Sequence, residues 1–440
     1  MAMFRSTSEM KDSGFDVIAN IPREWNVRRI KYVLNERNER VDDADPKDLL
    51  SVSEYYGVAP RAEKIKSDAT LMRSETLEGY KICKRDDLVV NIMLAWKGAL
   101  GVSKYEGVVS PSYCVYSPIC DDVVMKYLHY LFTTDSYKTY FRHHSTGIID
   151  SRLRLYTDEF FSLWCVLPPL SEQQVIADYL DDQCSKIDEI IAEATESIEE
   201  YKELKQAVIF ETVTKGLDKN TPMKDSGIEW IGKIPVNWKM GKIKNGVTKV
   251  GSGKTPKGGA EVYSTEGVLF LRSQNIYDEG LKLDNPFFIS EDIDEEMKNT
   301  RVQPHDVLLN ITGGSIGRCC VVPDSLGRAN VNQHVSIIRA IKSVFLPEYL
   351  HMFWISPLGK IAIALYQTGG NREGMSAEAI KNTPIQIPPL GEQEQIIKTL
   401  EPTLDKFDAL ISEKQALIDD LQAYKKSLIY EVVTGKRKVV

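Results

Sequence analysis

The sequence predicts an α+β protein with a pseudo-two-fold internal duplication: two mixed, β-rich globular domains, each followed by one long helix. The first observation is a repeat: residues 167–214 recur without a gap at 387–434. These segments share about 17 identities over roughly 48 positions, where unrelated sequence would give about three. The second observation is the pentapeptide Met10–Gly14, which recurs letter for letter at Met223–Gly227. A duplicated chain with long helices indicates two similar faces presented to a repetitive partner.

The repeats predict six segments along the chain. Each domain carries an Ile-Pro-x-x-Trp signal near its start, at Ile21–Trp25 and Ile234–Trp238. Each helix ends in a short Thr-Lys-Gly or Thr-Gly-Lys tail, as if the last residues could reconnect to the first. The predicted segments are an N-terminal extension at 1–9, a first domain at 10–166, a helical region at 167–216, a linker at 217–227, a second domain at 228–386 and a C-terminal helical region at 387–440.

Bulk composition bounds the class of protein. The 440 residues are 42% hydrophobic, which is enough for more than one buried core. No run of about 18 apolar residues and no signal-peptide core is present, so we expect no membrane span. The seven cysteines show no CxxC spacing and no histidine at metal-binding spacing. We therefore expect buried free thiols, no metal and a cytoplasmic location.

Charge is distributed unevenly. The net charge is −8, but the helical segments 171–205 and 390–420 together carry about −13. The rest of the chain is therefore at about +5. A DNA duplex could dock on the mildly basic domains while the acidic helices face solvent or protein partners.

The two helical regions show heptad spacing, which predicts a coiled coil between them; a globular bundle is the alternative. Pro168–Pro169 and Pro388–Pro389 should block extension of each helix backwards, and Ser171 is a candidate N-cap. The predicted packing residues are Ile187, Ile190, Ala194, Tyr201, Leu204 and Val208 in the first copy, with Ile191 widening the stripe, and Phe407, Leu410, Leu417, Leu421, Tyr424 and Leu428 in the second.

Strand-like segments fill the two domains. Asp87–Asn91 and Asp306–Asn310 match in pattern and lie at nearly the same distance from the helices. Otherwise the two domains differ strongly. Similar scaffolds with dissimilar surfaces are what two recognition modules for two targets would look like.

The Pro-Pro-Leu-x-Glu-Gln segments at 168–173 and 388–393, the acidic heptad helices and the linker at 226–238 together resemble the DNA specificity subunit of type I restriction–modification systems. The resemblance covers the chain from Met10. It implies two target-recognition domains that each read half of a bipartite double-stranded DNA target. It also implies that the two helices pack antiparallel, as a spacer and as the docking surface for two methyltransferase subunits.

The same resemblance assigns the chemistry to other subunits. The methyltransferase subunits would use S-adenosylmethionine to methylate adenine N6, and restriction/translocase subunits would use ATP with Mg²⁺. The chain itself would hold no cofactor and catalyse nothing. Its expected function is therefore recognition of DNA on behalf of its partners.

Candidate DNA-binding residues are polar and Gly-rich loops whose side chains suit base edges or phosphates. The alternative for each of them is an ordinary solvated turn. The candidates are Arg61, Trp96, Lys97, His143, His144, Ser145, Thr146 and Arg152 in the first domain, and Lys254, Thr255, Lys257, Arg272, Gln274, Asn275, Gln367, Thr368, Asn371 and Arg372 in the second.

Three motifs suggest other chemistry and are weighed against it. Gly251–Thr255 resembles a phosphate-binding loop, but Thr248 stands where that motif needs glycine and Pro256 follows where a helix should begin. Asn285–Phe288 resembles an adenine methyltransferase tetrapeptide with phenylalanine in place of the second proline. The adjacent pair His143–His144 lacks a carboxylate or nucleophile placed to work with it.

Three other functions remain open on sequence alone. The chain could be a methyltransferase or nuclease carrying its own specificity, which the lack of a cofactor loop opposes. It could be a coiled-coil scaffold without DNA contact, which the large dissimilar domains oppose. It could also serve a modification-only or other defence complex, since that difference lies in the partner subunits.

Overall fold

The computed structural model describes residues 3–42, 48–64, 77–367 and 374–439. The chain forms two compact units. Unit 1 comprises Met1–Thr195 and Ala416–Val440, and unit 2 comprises Glu196–Gln415.

The helices are bounded as follows in chain order. They are α1 (Arg61–Lys64), α2 (Met125–Thr133), α3 (Asp135–His143), α4 (Thr157–Ser162), α5 (Leu170–Lys215), α6 (Glu291–Glu296), α7 (Pro347–Ile355), α8 (Pro357–Tyr366), α9 (Ala377–Asn382) and α10 (Leu390–Val433).

The strands are short, as expected for domains rich in turns. In the first half they are β1 (Met3–Phe4), β2 (Met10–Asp12), β3 (Asn20–Pro22), β4 (Asn26–Arg29), β5 (Leu34–Glu36), β6 (Leu50–Ser53), β7 (Gly57–Pro60), β8 (Lys81–Cys83), β9 (Leu88–Asn91), β10 (Leu100–Val102), β11 (Gly107–Val109), β12 (Tyr113–Pro118) and β13 (Trp164–Leu167). In the second half they are β14 (Met223–Asp225), β15 (Lys233–Pro235), β16 (Lys239–Lys242), β17 (Val247–Ser252), β18 (Val268–Leu271), β19 (Ile276–Tyr277), β20 (Gly280–Leu281), β21 (Phe287–Ile289), β22 (Val307–Asn310), β23 (Cys319–Val321), β24 (Ala329–Val331), β25 (Val335–Ala340), β26 (Pro384–Ile387) and β27 (Arg437–Lys438).

Each unit contains one antiparallel four-stranded sheet with the same order of equivalent strands. Unit 1 has the order β10-β9-β12-β5 and unit 2 has β23-β22-β25-β17. All four residues of β9 and of β22 are buried, which explains their continuous apolar sequence. Two short helices follow the sheet in each unit, α2 and α3 in one and α7 and α8 in the other. The duplication visible in the sequence is therefore a duplication of fold.

A buried aspartate fixes the start of the central strand in both units. In unit 2, Asp306 is fully buried and accepts two hydrogen bonds of 2.7 Å from the guanidinium of Arg339. In unit 1, Asp87 accepts from Arg37 at 2.8 and 3.2 Å. This pairing raises the pKa of Arg37. Such charges are tolerated in a core only when they are paired and hydrogen-bonded.

The repeated pentapeptide and the Trp signal form the base of each domain. Met10–Asp12 pairs with β3, and Met223–Asp225 pairs with β15, in matching antiparallel hairpins. Trp25 and Trp238, which follow these hairpins, are both fully buried. The motifs recur because each half is built on the same hairpin and the same buried tryptophan.

The long helices begin where the prolines predict. Both α5 and α10 start at the leucine directly after a Pro-Pro pair. Ser171 lies inside the first turn, whereas the carbonyl of Pro169 accepts from the amides of Glu172 and Gln173. The predicted N-cap therefore differs from the observed one, since the chain already turns into the helix at Pro169.

The repeated glutamine of the Pro-Pro-Leu-x-Glu-Gln motif ties each helix to its domain. The Gln173 amide accepts from Val124 N–H at 2.9 Å and donates to the Pro168 carbonyl at 2.9 Å. The Gln393 amide likewise accepts from Leu346 N–H at 2.9 Å and donates to the Pro388 carbonyl at 2.9 Å. Because both side chains are buried, an unpaired amide there would be costly.

In the contact between the two long helices, which we call the helix seam, every second contact position lies one residue later than predicted. Predicted packing residues Ile190, Leu204, Leu410, Leu417 and Tyr424 are 38–52% exposed and lie outside the seam. The apolar stripe of each helix is wider than two positions per heptad, so two sets of contact positions, one residue apart, both fit the sequence. The charged residues beside the stripe do not distinguish between these two sets. The buried and half-buried seam positions are Ile187, Ile191, Ala194, Ile198, Tyr201, Lys205 and Val208 in α5, and Phe407, Ile411, Lys414, Ile418, Leu421, Lys425 and Leu428 in α10.

Equivalent lysines in the seam make equivalent ion pairs. In unit 1, Lys425 of α10 contacts Asp188 of α5 at 2.6 Å. In unit 2, Lys205 of α5 contacts Asp408 of α10 at 2.5 Å, next to the ring contact of Tyr201 with Phe407. An early residue of α5 thus meets a late residue of α10, and a late one meets an early one. The predicted antiparallel coiled coil and the α+β fold class are confirmed.

The extension at 3–9 packs within unit 1. Its strand β1 pairs antiparallel with β27, Met3 opposite Lys438. The guanidinium of Arg5 donates to the Gly435 carbonyl at 2.8 Å and to the Glu172 carboxylate at 2.5 Å. The other oxygen of Glu172 accepts from the indole of Trp25 at 2.8 Å. We call residues 3–9 the N-terminal arm.

The remaining bulk predictions concern thiols, metals and membranes. All seven cysteines are free, and six of them are buried, Cys120 being exposed. In the part of the chain that the structure describes, no group of His, Cys, Asp and Glu is arranged to hold a metal ion. No described helix is long and apolar enough to cross a membrane.

Candidate nucleic-acid interface

In unit 2 several strands end at the same edge of the sheet. β17 ends at Ser252, opposite Ser336 of β25. β22 ends at Asn310, opposite Val335, where β25 begins. The loops after β17, after β22 and before β25 must therefore meet. We call this the strand-end edge of unit 2.

Contacts between these loops show how closely they meet. The Thr255 hydroxyl bonds to the amide of Gln333, whose nitrogen lies 3.0 Å from Nε2 of His334. Nδ1 of His334 lies 2.6 Å from the hydroxyl of Thr312. A Cβ at Gly253 would lie 1.9 Å from the carbonyl oxygen of Val331, so only glycine allows this approach.

The loop after β17 offers free cationic side chains beside these polar ones. Lys254, Thr255 and Lys257 are all exposed. A short 3-10 turn at Gly259–Val262 follows, rather than the α-helix of a phosphate-binding loop. The loop presents amines and a hydroxyl to the outside, a combination that suits phosphate oxygens.

The turn at Ser273–Asn275 adjoins the same edge, because the amide of Asn310 donates to the Ser273 carbonyl at 2.8 Å and to the Ser315 hydroxyl at 3.2 Å. Gln274 is exposed there. Asn275 is buried, accepts from Arg272 N–H and donates to the Lys282 carbonyl. Its side chain is therefore used to build the turn and is not free to reach a base.

Arg272 is only partly available. Its guanidinium lies 3.6 Å from the ring centroid of Phe287, and burial lowers its pKa. Phe287 belongs to the tetrapeptide Asn285–Phe288, which resembles a methyltransferase motif. Its packing against Arg272 gives this segment a structural role. Cation–π stacking of this kind holds an arginine in one orientation while leaving its edge available.

The loop between α8 and α9 contains four predicted contacts. Gln367 is half-buried at the end of α8. Thr368, Asn371 and Arg372 lie outside the described residues. Gly374, the first described residue after them, pairs with Thr312 at the strand-end edge.

Unit 1 presents the equivalent edge with different chemistry. β9 ends at Asn91, opposite Tyr113, where β12 begins. The turn that follows carries Trp96 and the exposed Lys97. The guanidinium of Arg142, from the end of α3, lies 4.8 Å from the Trp96 ring centroid, and the Lys97 amine lies 5.2 Å from it. Trp96 and Lys97 are therefore brought to the edge together with an arginine absent from the prediction.

The loop after α3 completes this edge. His143 and Thr146 are exposed, as is Arg152 in the 3-10 turn at 150–152. Nδ1 of His144 lies 3.0 Å from the Tyr140 carbonyl, and the Ser145 hydroxyl donates to the Phe141 carbonyl at 2.7 Å. His144 and Ser145 thus close the end of α3, which gives His144 a structural role.

Arg61 is set apart from this group. It begins α1 directly after β7, and its amide donates to the Leu49 carbonyl at 2.8 Å. Arg61 therefore lies beside the β6–β7 hairpin and not at the turn that carries Trp96.

The residues missed by sequence reasoning share one property: each joins an edge through a contact with a residue distant in sequence. Arg142 contacts Trp96, and Thr312 contacts His334. Gln333 contacts Thr255. The alternation of strand and polar turn after Asn310 could have suggested Thr312. No local signal marks the other three.

Comparison with known proteins shows what the chain is similar to. A family model described as the type I restriction modification DNA specificity domain matches residues 235–420. The specificity subunit of the EcoBI type I restriction enzyme of Escherichia coli is 27% identical over 256 residues, covering 57% of this chain and 52% of that protein. The chain thus matches about half the length of that relative. The MjaVIII specificity subunit of Methanocaldococcus jannaschii is 24% identical over 442 residues, 95% of this chain and 94% of that one.

A solved structure supports the fold. A chain from a structural study of complex assembly and conformational transition of the type I restriction–modification system superposes with a TM-score of 0.69 at 15% identity, covering 94% of this chain and 98% of that one. The curated relatives are named as specificity subunits, which agrees with the expectation of a non-catalytic chain. The family model matches the second half, and the internal duplication gives the first half the same sheet, base and helix. Residues 235–420 therefore belong to the family of type I restriction modification DNA specificity domains, and the chain as a whole is similar to the specificity subunits of type I restriction enzymes.

Proposed function

We propose that the strand-end edge of each unit reads one half of a bipartite DNA target. The observation that carries this proposal is the contrast within each unit between a repeated framework and an edge that is not repeated. Sheet order, the buried aspartate and the buried tryptophan recur, whereas Trp96–Lys97 in unit 1 is replaced by a Gly-Gly-Ser turn at Gly313–Ser315 in unit 2. Two different sequences would be read by such a pair.

The edge residues divide into two roles. Exposed cations such as Lys97, Arg152, Lys254 and Lys257 suit phosphate oxygens and would fix the position of the duplex. Amide and imidazole groups such as Gln333 and His334 suit base edges in the major groove. Between the two half-sites the duplex would be held without base readout.

The chain would act through partner subunits. We propose two methyltransferase subunits that bring S-adenosylmethionine and methylate adenine N6 in the target, and restriction/translocase subunits that bring ATP and Mg²⁺. The exposed apolar residues on the outer faces of the helices, Ile190 and Leu204 on α5 and Leu410, Leu417 and Tyr424 on α10, are available for such docking. The complex would work in the cytoplasm, where free thiols persist.

The decisive experiment is long-read methylation mapping in a host that lacks its own adenine methylation. The cognate methyltransferase subunit is expressed with and without this chain. N6-methyladenine should appear at one split motif only when the chain is present. A confirmed complex that produces no split motif would overturn the proposal.

Domain exchange then assigns each edge to its half-site. Replacing residues 26–166 by the equivalent segment of another specificity subunit should change one half of the motif and leave the other. Replacing residues 239–386 is the matched control and should change only the other half. If either replacement changed both halves of the motif, the assignment of one half-site to each unit would be wrong.

A further inference from the structure

The loop after α3 in unit 1 exposes two adjacent isoleucines at its tip. Ile148 is 99% exposed and Ile149 is 53% exposed. Isolated apolar residues on a surface are ordinary, but a side chain with almost no contact to its own protein contributes nothing to the fold. Its presence at the tip of a recognition loop points to a role outside the folded chain.

Several contacts hold this loop in one shape. Thr146 and Arg154 exchange two backbone hydrogen bonds of 2.9 Å across its neck. Gly147 has a φ of +146°, and a Cβ there would lie 2.6 Å from the Arg152 carbonyl oxygen. The Leu155 amide donates to the Ile92 carbonyl at 2.9 Å, which joins the loop to the turn after β9. The isoleucines are therefore displayed on a braced support.

Cationic groups flank the tip. Arg142 pairs with Asp150 at 2.7 Å beside the tip, and both side chains are about half exposed. Arg152 and Lys97 are exposed on the same edge. An exposed pair of this kind contributes little, so Arg142 is free to turn towards a phosphate. An apolar tip between cations matches the surface of a duplex, with phosphates outside and base faces inside.

We propose that Ile148, supported by Ile149, inserts between two base pairs of the half-site that unit 1 reads. Apolar side chains used in this way unstack one step and bend the duplex, so the sequence is read partly by how easily that step opens. The corresponding sequence of unit 2, Thr368–Arg372, repeats the Thr-Gly pair of Thr146–Gly147 but contains no isoleucine. The inserted side chain would thus distinguish the two half-sites. This inference rests on the proposed function.

The test uses the full chain in complex with its methyltransferase subunit and a duplex carrying the mapped target. 2-Aminopurine is placed in turn at each step of the unit 1 half-site. The wild-type complex should raise its fluorescence at one step. Ile148→Ala should remove that rise and weaken binding about tenfold, whereas Ile148→Leu should keep both. A mismatch at the same step, which is already unstacked, should restore binding by Ile148→Ala.

Ile119→Ala is the matched control. Ile119 is 51% exposed in the same unit, directly after β12, at the end of that strand away from the strand-end edge. It should leave fluorescence and affinity unchanged, and all variants should melt at the wild-type temperature.

If Ile148→Ala retains the fluorescence rise and the affinity, the insertion is refuted while the proposed function stands. If Ile148→Ala impairs assembly with the methyltransferase instead, the tip is a protein contact and the insertion is equally refuted. If the wild-type complex methylates no split motif, both the insertion and the proposed function are refuted.

Discussion

Unit 1 and unit 2 contain the same four-stranded sheet, yet their loops at the strand-end edge have little in common. Asp87 and Asp306 both accept from an arginine of their own sheet, and Gln173 and Gln393 make matching hydrogen bonds at the base. A few residues beyond each aspartate, one chain segment presents a tryptophan stacked under cations and the other presents a turn of glycines and serine.

The difference teaches which positions are fixed by folding. Buried polar groups must be satisfied in both units, so each aspartate has an arginine partner, although Arg37 follows β5 and Arg339 lies in β25. Edge loops return to the sheet through backbone hydrogen bonds, which do not depend on side-chain identity. Their side chains are therefore free to differ between the two units.

The largest effect is expected at the buried aspartates. Asp306→Asn leaves the Arg339 guanidinium without its counter-charge and should lower the free energy of unfolding of unit 2 by about 3 kcal/mol. Asp87→Asn should cost unit 1 less, because Arg37 keeps a contact with Glu39 at 2.8 Å. Urea unfolding combined with hydrogen exchange in each sheet would measure both.

Asp182→Asn is the control for that comparison. Asp182 pairs with Lys186 on the exposed surface of α5, so its substitution should leave stability nearly unchanged. Equal losses for Asp87→Asn and Asp306→Asn would show that Glu39 contributes nothing to unit 1.

An effect of comparable size, but confined to acidic pH, is expected from two equivalent histidines. Burial lowers the pKa of His129 in α2 and of His351 in α7 to about 4 each. The unfolded chain, with pKa near 6.5, takes up protons first as the pH falls. Each histidine therefore contributes stability that is present above about pH 6.5 and is lost towards pH 4, by up to about 3 kcal/mol.

Substitution by asparagine separates the two histidines. His351→Asn and His129→Asn should each flatten the fall in stability between pH 6.5 and 4. At pH 7, His351→Asn should cost more, because Nε2 of His351 bonds to the Cys319 carbonyl at 3.0 Å, whereas Nδ1 of His129 has no hydrogen-bond partner among the described residues. An unchanged pH profile in both variants would show that these groups titrate normally in the folded protein.

The smallest effect concerns the glycines that end the long helices. Gly435 has a φ of +71°, and a Cβ there would lie 2.4 Å from the ring of Pro22. Gly216 has a φ of +74°, but its nearest obstacle is the flexible carboxylate of Glu392 at 2.7 Å. Gly435→Ala should therefore cost about 2 kcal/mol and Gly216→Ala nearer 1 kcal/mol in thermal unfolding.

Gly227→Ala supplies the reference. Its φ is also +74°, but no described atom lies within 4 Å of an added Cβ, so the substitution should show the backbone cost alone, about 1 kcal/mol. If all three variants lost the same stability, the contacts with Pro22 and Glu392 would be irrelevant.

How far the sequence predicts this molecule depends on whether a feature is repeated. The duplicated helices, hairpins and central strands were predictable because two copies of each pattern reinforce one another. The seam was predicted one residue out of phase at Ile190 and Leu204, since apolar residues there and at Ile191 and Ile198 fit both phases. Which of them faces the partner helix depends on packing that no single helix sequence specifies.

The interface was less predictable than the fold. Lys97, Lys254 and Arg152 could be chosen from composition because exposed cations in turns suit phosphates. Asn275 could not be rejected, because its burial depends on the Lys282 carbonyl seven residues away. Arg142 and His334 reach their edges only after separate loops have folded together.

The N-terminal arm has a consequence for the order of folding. Arg5 contacts Gly435 across 430 residues of chain. Closing a loop of that length in an unfolded chain would cost about 5 kcal/mol of entropy beyond a constant, far more than a two-residue strand pair returns. The pairing of β1 with β27 can therefore form only after the intervening chain has folded, and it should be the first contact to open. Exchange at the Arg5 amide, which donates to the Lys436 carbonyl at 2.9 Å, would accordingly report when the whole chain has completed its fold.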